Sequence, residues 1–362
     1  MQSGPEQAPE GIAFPTDPSS GRRSTSEASR HILATAAGAV SDEAAEAIRQ
    51  TRNWRKGYVD HFHRLVELGL ASPEAAVAIA RAALDATRRE FVFHGADGDL
   101  GIDDAMAQPR DELGTLTIDG RSTEGPAPWA VPVDGEWLSG DRLRVQLERW
   151  VFRGVMEPSA ADALHRRLDH PAGFDRSDRT VALHGAASEA GPLGWLARWR
   201  ARLVAIDVPA AGPWNRILRE VRQGNGVLHA PVAANAGVTA KDLHDGWQEG
   251  LGANLLTQAP AIARWLAGFG TPLDVGCLAY LDGEKHTRVS VAMDTIADAL
   301  QRDNPDTTIA YMATPTDSFA VPDVVANRVM TAWRERSLIK KAAQWPLGRY
   351  AFAPGVTRRY EC

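Results

Sequence analysis

Cysteine, lysine and long apolar runs are all scarce in this chain of 362 residues. The two cysteines are Cys277, inside an apolar stretch, and Cys362, the last residue. This pair argues against a disulfide framework and against a thiolate metal site. No apolar run approaches the roughly 18 residues of a membrane-spanning helix, and the sequence opens without a basic segment followed by an apolar one. We therefore expect a soluble, cytoplasmic protein with no membrane partner.

Lysine occurs at only five positions, whereas arginine is abundant, so few candidates for a catalytic lysine exist. The net charge is −6 and the basic residues are dispersed among acidic ones, which argues against a nucleic-acid partner. Two further patterns fail as metal sites. His61 and His63 are two positions apart on a predicted helix and point to different sides. The aspartates of residues 97–104 have Ile102 where a calcium loop needs glycine. We predict no metal site.

The most informative stretch begins with a short apolar run, Thr180–Leu183, which predicts a buried parallel strand. The chain then passes through Gly185 and Gly191 into an apolar stretch with helical spacing. A second apolar run, Leu203–Ile206, ends on Asp207. This order of strand, glycine turn, helix, strand and acid is typical of a nucleotide-binding unit.

Each part of that pattern has a chemical role. Gly185 lets the chain turn sharply out of the strand, and Gly191 lets the backbone approach a pyrophosphate. Asp207 follows Gly185 by 22 positions (207 − 185), where a carboxylate accepts hydrogen bonds from an adenosine ribose. No arginine follows Asp207, which favours NAD over NADP. The predicted cofactor-binding residues are Gly185, Ala186, Ser188, Glu189, Gly191, Pro192, Asp207 and, after a later strand, Thr257.

The chain is predicted to have four parts. Residues 1–27 form a disordered tail, and residues 28–176 form a mainly helical region with a small β element at Leu113–Ile118. Residues 177–337 alternate between strands and helices, and residues 338–362 form a C-terminal tail. The predicted strands of the third part are Thr180–Leu183, Leu203–Ile206, Gly226–Val232, Gly252–Thr257, Leu273–Leu281 and Thr307–Thr314. This alternation predicts an α/β fold with a doubly wound, mostly parallel sheet.

Residues 177–337 resemble the NAD(P)-binding Rossmann superfamily and, distantly, the short-chain dehydrogenases. The resemblance rests on Gly185, Gly191 and Asp207, and on a long helix after the fifth predicted strand. It implies a Rossmann-like domain that binds NAD and transfers hydride. Two features depart from the short-chain dehydrogenases. Glu189 stands where their loop has its middle glycine, and their Tyr-x-x-x-Lys pair is absent, because Lys285 follows Tyr280 by five positions (285 − 280).

Ligands of open α/β sheets bind beyond the carboxyl ends of the strands, where Tyr280, Lys285 and His286 are predicted to lie. His286 is the preferred proton donor because imidazole titrates near neutrality. Tyr280 is the second candidate, and Lys285 is a candidate contact to phosphate or carboxylate. The alternative interpretation is that all three are ordinary polar turn residues. His184, beside the glycine turn, is interpreted as structural.

Three functions remain open from the sequence. The first is an atypical NAD(P)-dependent oxidoreductase acting on an unidentified small organic substrate. The second is a non-catalytic Rossmann-fold protein that binds a dinucleotide or a protein partner. The third is an S-adenosylmethionine-dependent methyltransferase, in which an acid after the second strand also holds the cofactor ribose. A homodimer formed through a helix pair is consistent with each of them.

Overall fold

The computed structural model describes residues 10–16, 21–108, 112–234, 250–312 and 323–337. Within these ranges the helices are α1 (Thr25–Gly38), α2 (Asp42–Arg49), α3 (Trp54–Gly69), α4 (Pro73–Glu90), α5 (Ile102–Ala107), α6 (Gly140–Phe152), α7 (Pro158–Asp169), α8 (Leu193–Arg198), α9 (Ala211–Gln223), α10 (Leu255–Ala267), α11 (Glu284–Asp303) and α12 (Asp323–Arg334). The strands are β1 (Gly11–Ala13), β2 (Val92–Gly95), β3 (Gly98–Gly101), β4 (Leu113–Asp119), β5 (Ala130–Val133), β6 (Glu136–Ser139), β7 (Thr180–His184), β8 (Arg202–Ile206), β9 (Val227–Ala233), β10 (Asp274–Cys277) and β11 (Thr308–Tyr311).

The chain divides into two compact units. The sheet unit contains residues 1–13 and 93–312, and the helical unit contains residues 14–92 and 313–362. The divisions lie after residues 13, 92 and 312, and none lies at the predicted boundary between residues 176 and 177. The predicted domain ranges stay predictions. The predicted C-terminal tail, residues 338–362, lies outside the described residues.

Helices α1 to α4 follow one another in the helical unit, and three of them have a serine as the N-cap. The hydroxyls of Ser24, Ser41 and Ser72 each accept the backbone N–H three residues later, at 3.1–3.3 Å. This is the usual way to satisfy the free donors of a first helical turn. Leu33 and Ile48 lie in the core between α1 and α2, where the helices pack through small alanine side chains.

The sheet unit contains a six-stranded sheet with the order β11-β10-β7-β8-β9-β4. Strands β7 to β11 are parallel, and β4 is antiparallel to β9 at one edge. The buried apolar runs of β7 and β8 are typical of parallel strands covered on both faces. The predicted α/β fold with a mostly parallel sheet is confirmed.

Helices cover both faces of this sheet. Leu116 and Ile118 of β4 lie in the apolar cluster that includes Trp214 of α9. Residues that alternate with them point to the other face, where the indole N–H of Trp265 on α10 donates to the Thr115 hydroxyl at 2.8 Å. Strand β4 therefore contacts one helix layer with its apolar residues and the other with its threonines.

Two predicted strands are corrected by the structure. The segment Gly252–Thr257 is not a strand, because the Asn254 side chain accepts the Leu256 N–H at 3.0 Å and caps α10. The sixth strand of the sheet is instead β4, which was predicted as part of a separate small β element. The predicted strands Leu273–Leu281 and Thr307–Thr314 are shorter in the described residues, at Asp274–Cys277 and Thr308–Tyr311.

The prediction of disorder over residues 1–27 is wrong for two parts of that range. Gly11–Ala13 form the buried strand β1, which pairs with β2 in a three-stranded sheet completed by β3. Residues 25–27 form the first turn of α1, where Ser24 is the N-cap.

Candidate functional site

The connections of the sheet reverse direction at β7. From β7 the chain proceeds to the neighbouring strand β8 and then to β9, and it later returns to β10 on the other side of β7. A ligand-binding crevice forms at such a switch point, beyond the carboxyl ends of the strands. The turns after β7, β8 and β10 meet at this edge, and they contain most of the predicted site residues.

Gly185 makes the sharp turn that directly follows β7. Its φ is +80°, a left-handed conformation that favours glycine, and its N–H donates to the Ile206 carbonyl at 2.8 Å. A side-chain Cβ at this position would lie 2.6 Å from the Cα of Ala279, in the turn after β10. Gly185 is therefore required by the close approach of two turns.

Asp207 lies at the predicted place, directly after β8, and its carboxylate is bonded to the backbone. One oxygen accepts the Ala187 N–H at 2.8 Å, and the other accepts the Val208 N–H at 2.9 Å. Burial raises the pKa of the carboxyl, and these two N–H donors oppose that rise. Asp207 thereby ties the turn after β7 to the turn after β8, while each oxygen keeps a further lone pair.

The rest of the predicted cofactor loop forms a compact turn. The Ser188 N–H donates to the Gly185 carbonyl at 3.0 Å, and the Gly191 N–H donates to the Ser188 carbonyl at 3.1 Å. Glu189 and Pro192 are exposed, whereas Ala186 is buried in the core. A Cβ on Gly191 would lie 3.1 Å from a methyl group of Leu278, so the turn after β10 lies against this loop.

The two candidate proton donors contact each other at the start of α11. The ring centroids of Tyr280 and His286 are 4.6 Å apart, and Tyr280 is 65% exposed. Nδ1 of His286 is buried and has no hydrogen-bond partner among the described residues. Lys285 is exposed and forms no ion pair within the described part of the chain. The structure therefore brings together Tyr280 and His286, and Lys285 directly precedes His286 in the first turn of α11.

Thr257 lies in the first turn of α10, where a strand end was predicted, and β1 lies against it. A Cβ on Gly11 would be 2.8 Å from the Cα of Thr257. Arg288 of α11 holds this strand: its guanidinium donates to the carbonyls of Glu10, at 3.1 Å, and Ile12. Arg288 was not among the predicted site residues. The sequence signal for it is Glu284, which stands four residues earlier on the same helix and pairs with it at 3.4 Å.

His184 and Cys277 end the adjacent strands β7 and β10 and are side by side in the sheet. His184 is 0% exposed, its Nδ1 lies 3.9 Å from the Cys277 sulfur, and its Nε2 has no hydrogen-bond partner in the described chain. Burial lowers the pKa of the imidazole to about 4 and raises the pKa of the thiol to about 12. Both groups are therefore neutral near pH 7.

Comparison of the chain with protein-family models, curated proteins and solved structures gives no match. Within the described ranges, no helix has the length and apolar character needed to cross a bilayer. The same ranges contain no group of three or more histidine, cysteine, aspartate or glutamate side chains arranged to hold a metal ion.

Proposed function

We propose that this protein is an NAD-dependent oxidoreductase with a Rossmann-like cofactor domain, acting on a small organic substrate. One observation carries the proposal. When the parallel strands β7 to β11 are numbered one to five along the chain, their order in the sheet is 3-2-1-4-5. This order is that of dinucleotide-binding sheets, and it gathers the glycine turn, Asp207 and the Tyr280–His286 pair at one edge.

The residues proposed to contact the adenosine part of NAD suit a ribose. Asp207 is half-buried and retains acceptor capacity for ribose hydroxyls beyond its two backbone bonds. Val208 follows it, where a 2′-phosphate would need a cation, so NAD is proposed over NADP. Gly185 and Gly191 lie in the turn that would face the pyrophosphate, and a Cβ on either would meet the turn after β10.

Bound nicotinamide would supply the hydride acceptor or donor, and the protein would handle the proton. His286 would hold that proton, because its ring contacts Tyr280 and its Nδ1 has no hydrogen-bond partner among the described residues. The Tyr280 hydroxyl would orient the substrate from the solvent side. Lys285, one residue before His286, would contact an anionic part of the substrate or cofactor.

A second candidate function is dinucleotide binding without catalysis. One observation favours it: the Tyr-x-x-x-Lys pair of the short-chain dehydrogenases is absent, because Lys285 follows Tyr280 by five positions. The S-adenosylmethionine alternative shares the ribose-binding acid, so that cofactor belongs in the same titration.

The proposal is tested by titrating the full chain with NAD, NADH, NADPH and S-adenosylmethionine while following thermal unfolding. At a hundred times its dissociation constant, a ligand specific for the native state stabilises it by about 2.7 kcal/mol. We expect NAD or NADH to do so. Asp207→Asn, which keeps one acceptor oxygen, should weaken binding about tenfold or more through its lost charge. Asp274→Asn is the control, since Asp274 lies at the amino end of β10.

Turnover separates the two candidate functions. His286→Gln and Tyr280→Phe should bind NADH like the parent chain and lose most of the activity found in a substrate screen. Binding without turnover over a broad panel of alcohols, aldehydes and ketones would favour the non-catalytic function. Absence of any stabilisation by NAD or NADH at millimolar concentration would contradict both.

A further inference from the structure

A cavity of about 110 Å3 lies in the helical unit, between α1, α2 and α3. Its apolar floor is formed by Ala44, Ile48, Leu65 and Leu68. Every residue that lines it belongs to the helical unit, so it is separate from the nucleotide site proposed for the sheet unit. Its volume is somewhat below the roughly 150 Å3 at which an apolar cavity holds benzene, which leaves room for about three or four carbons.

Charged side chains of both signs line the same cavity. Glu43 contributes a carboxylate that forms no hydrogen bond or ion pair with the residues that the structure describes. Arg64 contributes a guanidinium, of which one nitrogen donates to Glu67 at 3.2 Å. Its remaining N–H groups are available to an anion, because a guanidinium carries five donors.

His61, the third polar residue of the lining, is held in a defined orientation. Its ring stacks on Trp54 with centroids 5.9 Å apart, and its Nε2 lies 2.7 Å from the Thr51 hydroxyl. That hydroxyl donates its one hydrogen to the Ala47 carbonyl at 2.9 Å, so it accepts from His61. Nε2 therefore carries a proton, and Nδ1 is the ring nitrogen that can accept from a ligand donor.

We propose that this cavity binds a small apolar α-amino acid. The side chain would lie on the floor formed by Ala44, Ile48, Leu65 and Leu68. The ammonium group would donate to Glu43 and to Nδ1 of His61, and the carboxylate would accept from Arg64. A fatty acid would leave Glu43 near a like charge, and an aliphatic amine would give no acceptor to the Arg64 N–H groups that do not bond Glu67. Only a zwitterion matches both charges of the lining.

The test uses L-valine and two ligands that each lack one charged group. Isovalerate has the valine side chain and carboxylate without the ammonium, and isobutylamine has the side chain and ammonium without the carboxylate. We expect valine to bind the full chain in calorimetry, and each truncated ligand to bind about tenfold or more weakly, because one charged hydrogen-bond partner is missing.

Two variants that each remove one charge of the lining test which ligand group binds to which side chain. Glu43→Gln should weaken valine binding about tenfold or more and leave isovalerate binding unchanged or stronger. Arg64→Gln should weaken valine equally and leave isobutylamine unchanged. Both substitutions are on exposed side chains, so folding is checked simply by comparing unfolding curves.

A third variant tests the location by filling the cavity. Ala47→Leu should abolish binding, because Ala47 lines the cavity. Ala80→Leu, on an exposed position of α4, is the matched control and should bind valine like the parent. No valine binding at millimolar concentration, equal binding of valine and isovalerate, or full binding by Ala47→Leu would each overturn the proposal. None of these results depends on NAD.

Discussion

At the residue scale, His184 makes the native state sensitive to acid. Burial lowers its folded pKa from 6.5 to about 4, so between these values the unfolded chain binds a proton that the native state does not. Stability therefore falls as the pH drops through this window and is complete above it. The total loss attributable to His184 is roughly 3 kcal/mol. Urea unfolding at pH 7 and at pH 4.5 measures most of it.

His184→Gln isolates this contribution from that of the carboxyl groups, since glutamine does not titrate. The variant should be less stable than the parent at pH 7 through its altered packing, yet lose less stability between pH 7 and pH 4.5. The same replacement at the exposed His170 should leave the parent's pH dependence in place. An identical pH dependence in the parent and in His184→Gln would contradict the assignment.

The predicted site residues show what sequence spacing can determine. The strand followed by a glycine predicts a tight turn at Gly185, and the spacing places Asp207 at the same sheet edge; both positions agree with the structure. Spacing does not identify partners. The approach of Ala279 to Gly185, and the capture of the Asp207 carboxylate by Ala187 and Val208, depend on loops that meet only in the folded chain.

At the element scale, Arg288 fastens β1 to α11. Its side chain is 3% exposed, and its guanidinium holds the carbonyls of Glu10 and Ile12. Arg288→Ala should lower the free energy of unfolding by about 2–3 kcal/mol, because its charged hydrogen bonds to two carbonyls, one of them in the buried strand β1, are lost. Arg302→Ala is the control: Arg302 is exposed and pairs only at the surface with Asp298, so the expected change is below about 1 kcal/mol. Equal losses in the two variants, measured by urea unfolding, would contradict the role of Arg288.

Element prediction succeeded where the apolar pattern was local and failed where capping or distant pairing decided the outcome. The apolar runs of β7, β8 and β9 were sufficient to locate three parallel strands. The segment Gly252–Thr257 contains a shorter apolar run, and the Asn254 cap starts a helix inside it. The position of strand β4 was predicted, but its pairing with β9 was not. Strand β9 is more than a hundred residues away, and no local pattern predicts such a pairing.

At the scale of the whole molecule, the two proposed ligands have sites in different units, which hydrogen exchange distinguishes. A ligand at a hundred times its dissociation constant slows exchange about a hundredfold at amides that open only when its site is disrupted. NAD should slow the amides of residues 185–208, including Ala187 and Val208. Valine should slow the amides of α2 and α3.

The two patterns test the proposals independently, because the proposed nucleotide site lies at strand ends and the proposed amino-acid site lies between helices. Protection by NAD confined to the sheet unit would support the cofactor site even if valine had no effect. Protection of α2 and α3 by valine would support the second site even if NAD had none. Valine protection centred on the sheet would contradict the cavity assignment, since every residue lining that cavity lies between positions 37 and 68.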